Sequence, residues 1–123
     1  MSGTPAEAAH LDQWTLLAVT AIEGPALEIM MAPADATGEA TARVAAEKLR
    51  RPLARLQAHL ASHDWLVGNR FTVADINTAE CLRYAQGNKA LIAEFPDVQR
   101  WLTAAQSRPA FQKMWAGRMA EPV

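Results

Sequence analysis

Cys81, His10, His59, His63 and the carboxylates Asp12, Glu23 and Asp75 are the side chains here whose types could support a reaction or hold a metal. A cysteine nucleophile needs a lowered pKa and a nearby base. Cys81 stands among apolar neighbours with no histidine close in sequence, so it reads as a buried, inert thiol. His59 and His63 are four residues apart, the spacing of two ligands on one helix face, but a helix end falls between them and no third ligand follows. No metal site is assigned. Asp12 and Glu23 are eleven residues apart, which is about three helical turns and too far for a working carboxylate pair. The sequence has no glycine-rich phosphate loop, no Ser/His/Asp signature and no zinc spacing. Arg50, Arg51 and Arg55 form a small basic patch that reads as solvated surface. No catalytic residue is assigned.

Asp75 is the one carboxylate whose position has a definite local reason. Thr72 and Asp75 have the spacing of a capping box. The Thr72 hydroxyl can accept from the Asp75 backbone N–H while the Asp75 carboxylate reaches back to the N–H of Thr72. Phe71, just before the cap, can staple onto Ile76. The helix that follows, Val73 to about Gln86, is mostly apolar, and Asn77, Thr78, Glu80 and Arg83 do not read as one polar face. It is therefore expected to be a buried central helix. Removing one half of a box costs about 1–2 kcal/mol, which is the loss expected for Asp75→Ala, and more if the site is fully buried.

The elements around it follow from caps and periodicity. Met1-Ser2-Gly3 reads as an initiation stub or tag remnant. Thr4-Pro5-Ala6-Glu7 starts a first helix that runs to about Met31, with Leu11, Trp14, Leu17, Ala18, Ala21 and Ile22 at helical spacing and a kink expected at Gly24-Pro25. A loop from Ala32 to Thr37 leads to a second helix, from near Glu39 to near Ser62. Leu49, Leu53, Leu56 and Leu60 line one face, Arg43, Glu47, Arg51 and Arg55 line another, and Pro52 predicts a second kink. The two long helices should form an antiparallel hairpin. Gly87-Asn88 closes the central helix. Pro96 begins a helix with Val98, Trp101, Leu102 and Ala105 inward, and Pro109 begins a last one with Phe111, Met114 and Trp115. No segment alternates as a strand does, so the fold class is all-α: about five to six helices around a buried central one.

A chain of 123 residues makes one domain, residues 1–123, with a sizeable core. Half its residues are hydrophobic, a fifth are charged and the net charge is −1, which gives no electrostatic case for nucleic acid or an anionic membrane. A single cysteine excludes an internal disulfide. No apolar run reads as long enough to span a bilayer and no signal-peptide layout opens the chain, so a cytoplasmic location is expected.

Four segments together resemble a known family. The run from Trp65 to Ile76 (Trp65-Leu66-Val67-Gly68-Asn69-Arg70-Phe71-Thr72-Val73-Ala74-Asp75-Ile76) closely resembles the most recognisable motif of the glutathione S-transferase C-terminal domain. Pro52 to Leu60 resembles the end of the preceding long helix in bacterial members. Phe95-Pro96-Asp97-Val98-Gln99-Arg100-Trp101-Leu102 and Ser107-Arg108-Pro109-Ala110-Phe111 are similar to the closing helices, and Asp12-Gln13-Trp14 with Ile22-Glu23-Gly24-Pro25 to the first. Nothing resembles the thioredoxin-like domain that in this family binds glutathione and activates its thiol. The resemblance implies an all-helical half that lines an apolar electrophile pocket and supports a homodimer. Trp14, Leu17, Ala18 and Ala21 would form the cleft face, with Trp115 closing the pocket. It implies no cofactor bound by this chain alone, with glutathione as co-substrate only when the thioredoxin-like domain is present. The alternative is a stand-alone, non-catalytic protein–protein interaction module with an apolar patch, including part of the first helix, turned to a partner.

Overall fold

Proline suits the head of a helix, where its missing N–H is not needed, and α1 (Pro5–Leu17) begins on Pro5. The structure, a computed structural model, describes residues 5–108 and Lys113. The irregularity expected at Gly24-Pro25 is placed one turn earlier. A π-helical segment, Ala18–Ile22, follows α1, and the Glu23 N–H reaches back five residues to the Ala18 carbonyl before α2 (Glu23–Met31) continues. Widening this turn gives the Pro25 ring room against the carbonyl of Ala21, which a regular α-turn would drive into it.

The run Pro5–Met31 is thus one continuous helical rod of 27 residues, long and apolar enough by length and composition to cross a membrane. That corrects the expectation that no apolar run has this length. In this fold the rod has another use. Trp14, Ala18, Ile22 and Ala26, four residues apart, are buried against the rest of the domain.

Asp35 caps α3 (Ala36–Leu60) by accepting from the Gly38 N–H at 2.7 Å. The helix packs back along α2, where Lys48 approaches Glu28 at 4.0 Å, and the two form the expected hairpin. Leu49, Leu53, Leu56 and Leu60 are all buried, and Pro52 sits inside an unbroken helix.

The central helix, α4 (Val73–Arg83), packs on α1, α2 and α6. Ala74, Asp75, Thr78, Ala79, Cys81 and Leu82 face inward. Its opposite side is partly exposed, which corrects the reading of a helix without an outward face. Val73, Ile76, Asn77, Glu80 and Arg83 recur every three or four residues on that side, and Val73 and Ile76 are about half exposed, at 49% and 52%. The two exposed apolar residues hid the polar pattern of Asn77, Glu80 and Arg83.

Asn88 caps the short α5 (Lys89–Ala93) by accepting from the Leu91 N–H at 3.1 Å. In α6 (Pro96–Gln106) the residue before the helix, Phe95, has no capping side chain. Gln57 of α3 caps it from outside. Its Oε1 accepts from the N–H groups of Asp97 (2.9 Å) and Val98 (3.3 Å), and its Nε2 donates to the Asp97 carboxylate at 2.6 Å. Gln57→Ala leaves those helix-end donors without a protein partner. A loss of about 1–2 kcal/mol in urea-induced unfolding is expected, comparable to removing an ordinary N-cap. Among the described residues there are no strands.

Candidate functional site

Asp75 is completely buried, and hydrogen bonds occupy both of its oxygens. Oδ1 accepts from the Leu66 N–H at 3.0 Å and from the Trp101 indole N–H at 2.8 Å. Oδ2 accepts from the Thr72 N–H at 2.9 Å and from the Thr72 hydroxyl at 3.4 Å. Thr72 and Asp75 form a capping box. The return bond from the Thr72 N–H is its firm half, while the Asp75 N–H bonds the Thr72 carbonyl at 3.0 Å. A single carboxylate therefore joins the 61–72 connection, the start of α4 and the core tryptophan of α6. With its lone pairs used in this way it has none free for a substrate, and its work is to hold three segments together. Phe71 packs edge-on to Trp65, ring centroids 5.2 Å apart, with the Arg108 guanidinium 3.9 Å above its ring; Ile76 is half exposed.

The other candidate groups are spread over the fold. Cys81 lies 3.7 Å from the Glu23 carboxylate. Burial, and then the negative charge of Glu23, push its thiol up to about 11. The group is protonated at neutral pH, which is the opposite of an activated nucleophile. Sequence spacing weighed Glu23 only against Asp12, too far away to pair with it, and missed Cys81, since 58 residues separate Glu23 from Cys81. Arg50 is clamped between Glu47 and Glu94, with its Nη2 2.8 Å from Glu94. Hydrogen bonding to Glu94 raises the guanidinium's affinity for its proton, and the same bond holds the Glu94 carboxyl below its ordinary range. These charges border an open groove of about 440 Å³ between α3 and α5, lined also by Glu39, Arg43 and Leu91. Among the described residues, no group of three or more histidine, cysteine or acidic side chains is arranged to hold a metal.

Trp14 and Ala18, two of the expected cleft residues, are packed into the core, while Leu17 and Ala21 are partly buried. Trp115 lies outside the described residues. The exposed apolar surface of the rod is carried instead by Leu16, 63% exposed, and Val19, 53% exposed, with Met30 and Met31 at its C-terminal end. A helix turn places Leu16 and Val19 beside the core positions, so periodicity alone could not tell which apolar neighbours would be covered. The rod and α4 run side by side in the same direction: Arg70 bonds Glu7 at 3.0 Å, Asn77 approaches Thr15 at 3.4 Å, and Cys81 meets Glu23.

Known proteins resemble this chain in sequence and in fold. The chain is 34% identical over 119 residues to elongation factor 1-gamma 2 of Oryza sativa subsp. japonica, an alignment covering 88% of this chain and 27% of that protein. It is 41% identical over 71 residues to glutathione S-transferase 3 of Zea mays, covering 55% of this chain and 32% of that protein. Among solved structures, glutathione S-transferase III in its apo form superposes with a TM-score of 0.81 at 31% identity, over 94% of this chain and 57% of that one. The chain thus spans about a quarter to a third of the length of these curated relatives. Residues 19–109 match the family described as "Glutathione S-transferase, C-terminal domain", and the chain belongs to that family.

Proposed function

We propose that this chain acts as the helical half of a glutathione-dependent transferase-like protein. A thioredoxin-like domain would bind glutathione, and the rod formed by α1 and α2 would border the site for an apolar electrophile. Leu17 and Ala21, which keep part of their surface, are the expected residues best placed to meet such a ligand; Trp14 and Ala18 would support them from the core. Trp115 keeps its assigned role of closing the pocket. The observation that carries this reading is the superposition of nearly the whole chain on the apo transferase. A homodimer, a cytoplasmic location and kinship with bacterial members belong to the same proposal.

The elongation factor relative, aligned over 88% of the chain, favours a second reading as a non-catalytic protein–protein interaction module. Leu16, Val19, Val73 and Ile76 would then meet a protein partner.

One pair of measurements separates these readings. Conjugation of glutathione to a chlorodinitrobenzene is expected to be undetectable for this chain alone. It should appear when a thioredoxin-like domain of a plant transferase is fused ahead of it. Turnover by the chain alone would overturn the assignment of thiol activation to another domain. A folded fusion that binds glutathione yet never conjugates, together with a stable hetero-complex in sedimentation, would replace the transferase reading with the module.

A further inference from the structure

The tip of the α2–α3 hairpin carries apolar side chains that the fold leaves uncovered. Met30, Met31 and Val44 are 52%, 72% and 56% exposed. The register of the hairpin brings two of them to one level. Lys48 approaches Glu28 at 4.0 Å. From that pair, Met31 lies three residues further along α2, and Val44 lies four residues back along α3. The two helices are antiparallel, so both steps lead one turn toward the 32–35 loop. Methionine is unbranched and polarisable, and it recurs on surfaces that adapt to a partner.

Cations continue the stripe that Val44 begins. Lys48, Arg51 and Arg55 follow it at intervals of four, three and four residues, and all three are exposed. They extend the stripe over about 16 Å. The acid nearest them on α3, Glu47, is turned away: it pairs with Arg50, which also holds Glu94 of α5 at 2.8 Å. Among the described residues Arg51 and Arg55 pair with no carboxylate; Arg55 lies 5.7 Å from the centre of the Trp14 ring. The Lys48–Glu28 pair is long and joins two exposed side chains, so it holds Lys48 only weakly.

We propose that Met31, Val44, Lys48, Arg51 and Arg55 form a docking surface for an amphipathic acidic helix of another protein. The apolar stripe of that helix lies on Met31 and Val44, and its carboxylates, one turn apart, meet Lys48, Arg51 and Arg55. From the sequence these arginines read as solvated surface; the fold sets exposed apolar side chains in line with them. Charge complementarity selects a single acidic helix over broader anions. A bilayer or a nucleic-acid duplex spreads negative charge over the whole face, including Glu28, Glu39 and Glu47, whereas one helix sets its carboxylates only where the cations stand. The surface is separate from Leu16, Val19, Val73 and Ile76, so it holds under either reading of the function.

Fluorescence anisotropy on the intact chain tests this with a labelled synthetic helix of about 18 residues, leucines on one face and glutamates on the other. Saturable binding in the micromolar range is expected, weakened about tenfold when salt is raised from about 50 to about 300 mM. Arg51→Glu should weaken it at least about tenfold and Met31→Ser about fivefold. Lys89→Glu, the same charge change on the exposed part of α5, should leave it unchanged. These side chains are exposed, so the circular dichroism of the parent is expected in every variant. A peptide of the same composition with its leucines scattered should bind at least about tenfold more weakly. No saturation up to about 1 mM peptide, or equal binding of the scattered peptide, would overturn the proposal. So would a loss for Lys89→Glu as large as for Arg51→Glu, displacement of the peptide by phosphatidylserine vesicles or duplex DNA, or a homodimer in sedimentation that Met31→Ser disperses.

Discussion

Asp75→Ala is expected to destabilise the domain by about 3–5 kcal/mol, well above the loss for an ordinary cap. The local box accounts for only part of this. Removing the carboxylate strips partners from the Thr72 N–H, the Leu66 N–H and the Trp101 indole N–H together. Trp101 is fully buried, so its N–H has no immediate route to water. Each orphaned buried donor costs about 1–3 kcal/mol, reduced where the chain relaxes or water enters. Against a typical domain stability of about 5–15 kcal/mol the variant sits near its unfolding threshold. Thr72→Ala, which removes the looser half of the box, should cost less than about 1 kcal/mol. Chemical denaturation followed by tryptophan fluorescence reads both. Equal losses for the two variants would show that Asp75 acts only as a cap.

Gly38→Ala should destabilise by about 2–3 kcal/mol, reversing the sign that helix propensity gives. Replacing glycine inside a helix usually gains up to about 1 kcal/mol, by restricting the unfolded chain and favouring the helix. Gly38 is in the first turn of α3, and its N–H already serves the Asp35 cap. A Cβ there would lie 1.7 Å from the Pro33 carbonyl oxygen and 2.9 Å from the Pro33 nitrogen. Those atoms are backbone, so relief requires the 32–35 turn to move and the cap with it. Gly24, with open space around its Cβ position, is the control. Gly24→Ala should stay within about 1 kcal/mol of the parent chain, since its helical gain is offset by crowding against the Pro25 ring. A stabilised Gly38→Ala in thermal unfolding would show that the turn yields freely.

The local rules of the chain were legible in its sequence. Helical periodicity set the all-α class and the buried Leu49, Leu53, Leu56 and Leu60 stripe, because a helix face depends only on residues three or four apart. The spacing of Thr72 and Asp75 marked the box for the same reason, and the run around it carried the family resemblance. What the tertiary structure decided involves partners far apart in sequence. Trp101 is 26 residues from Asp75, Gln57 is 40 from the helix end it caps, and Cys81 is 58 from the Glu23 carboxylate it meets. Which of two neighbouring apolar residues is covered, as with Ala18 and Val19, was settled by the same packing. No period in a sequence encodes such meetings. They exist only once the rod, α3, α4 and α6 are brought together, and that assembly turns Asp75 from a helix cap into the point where three segments join.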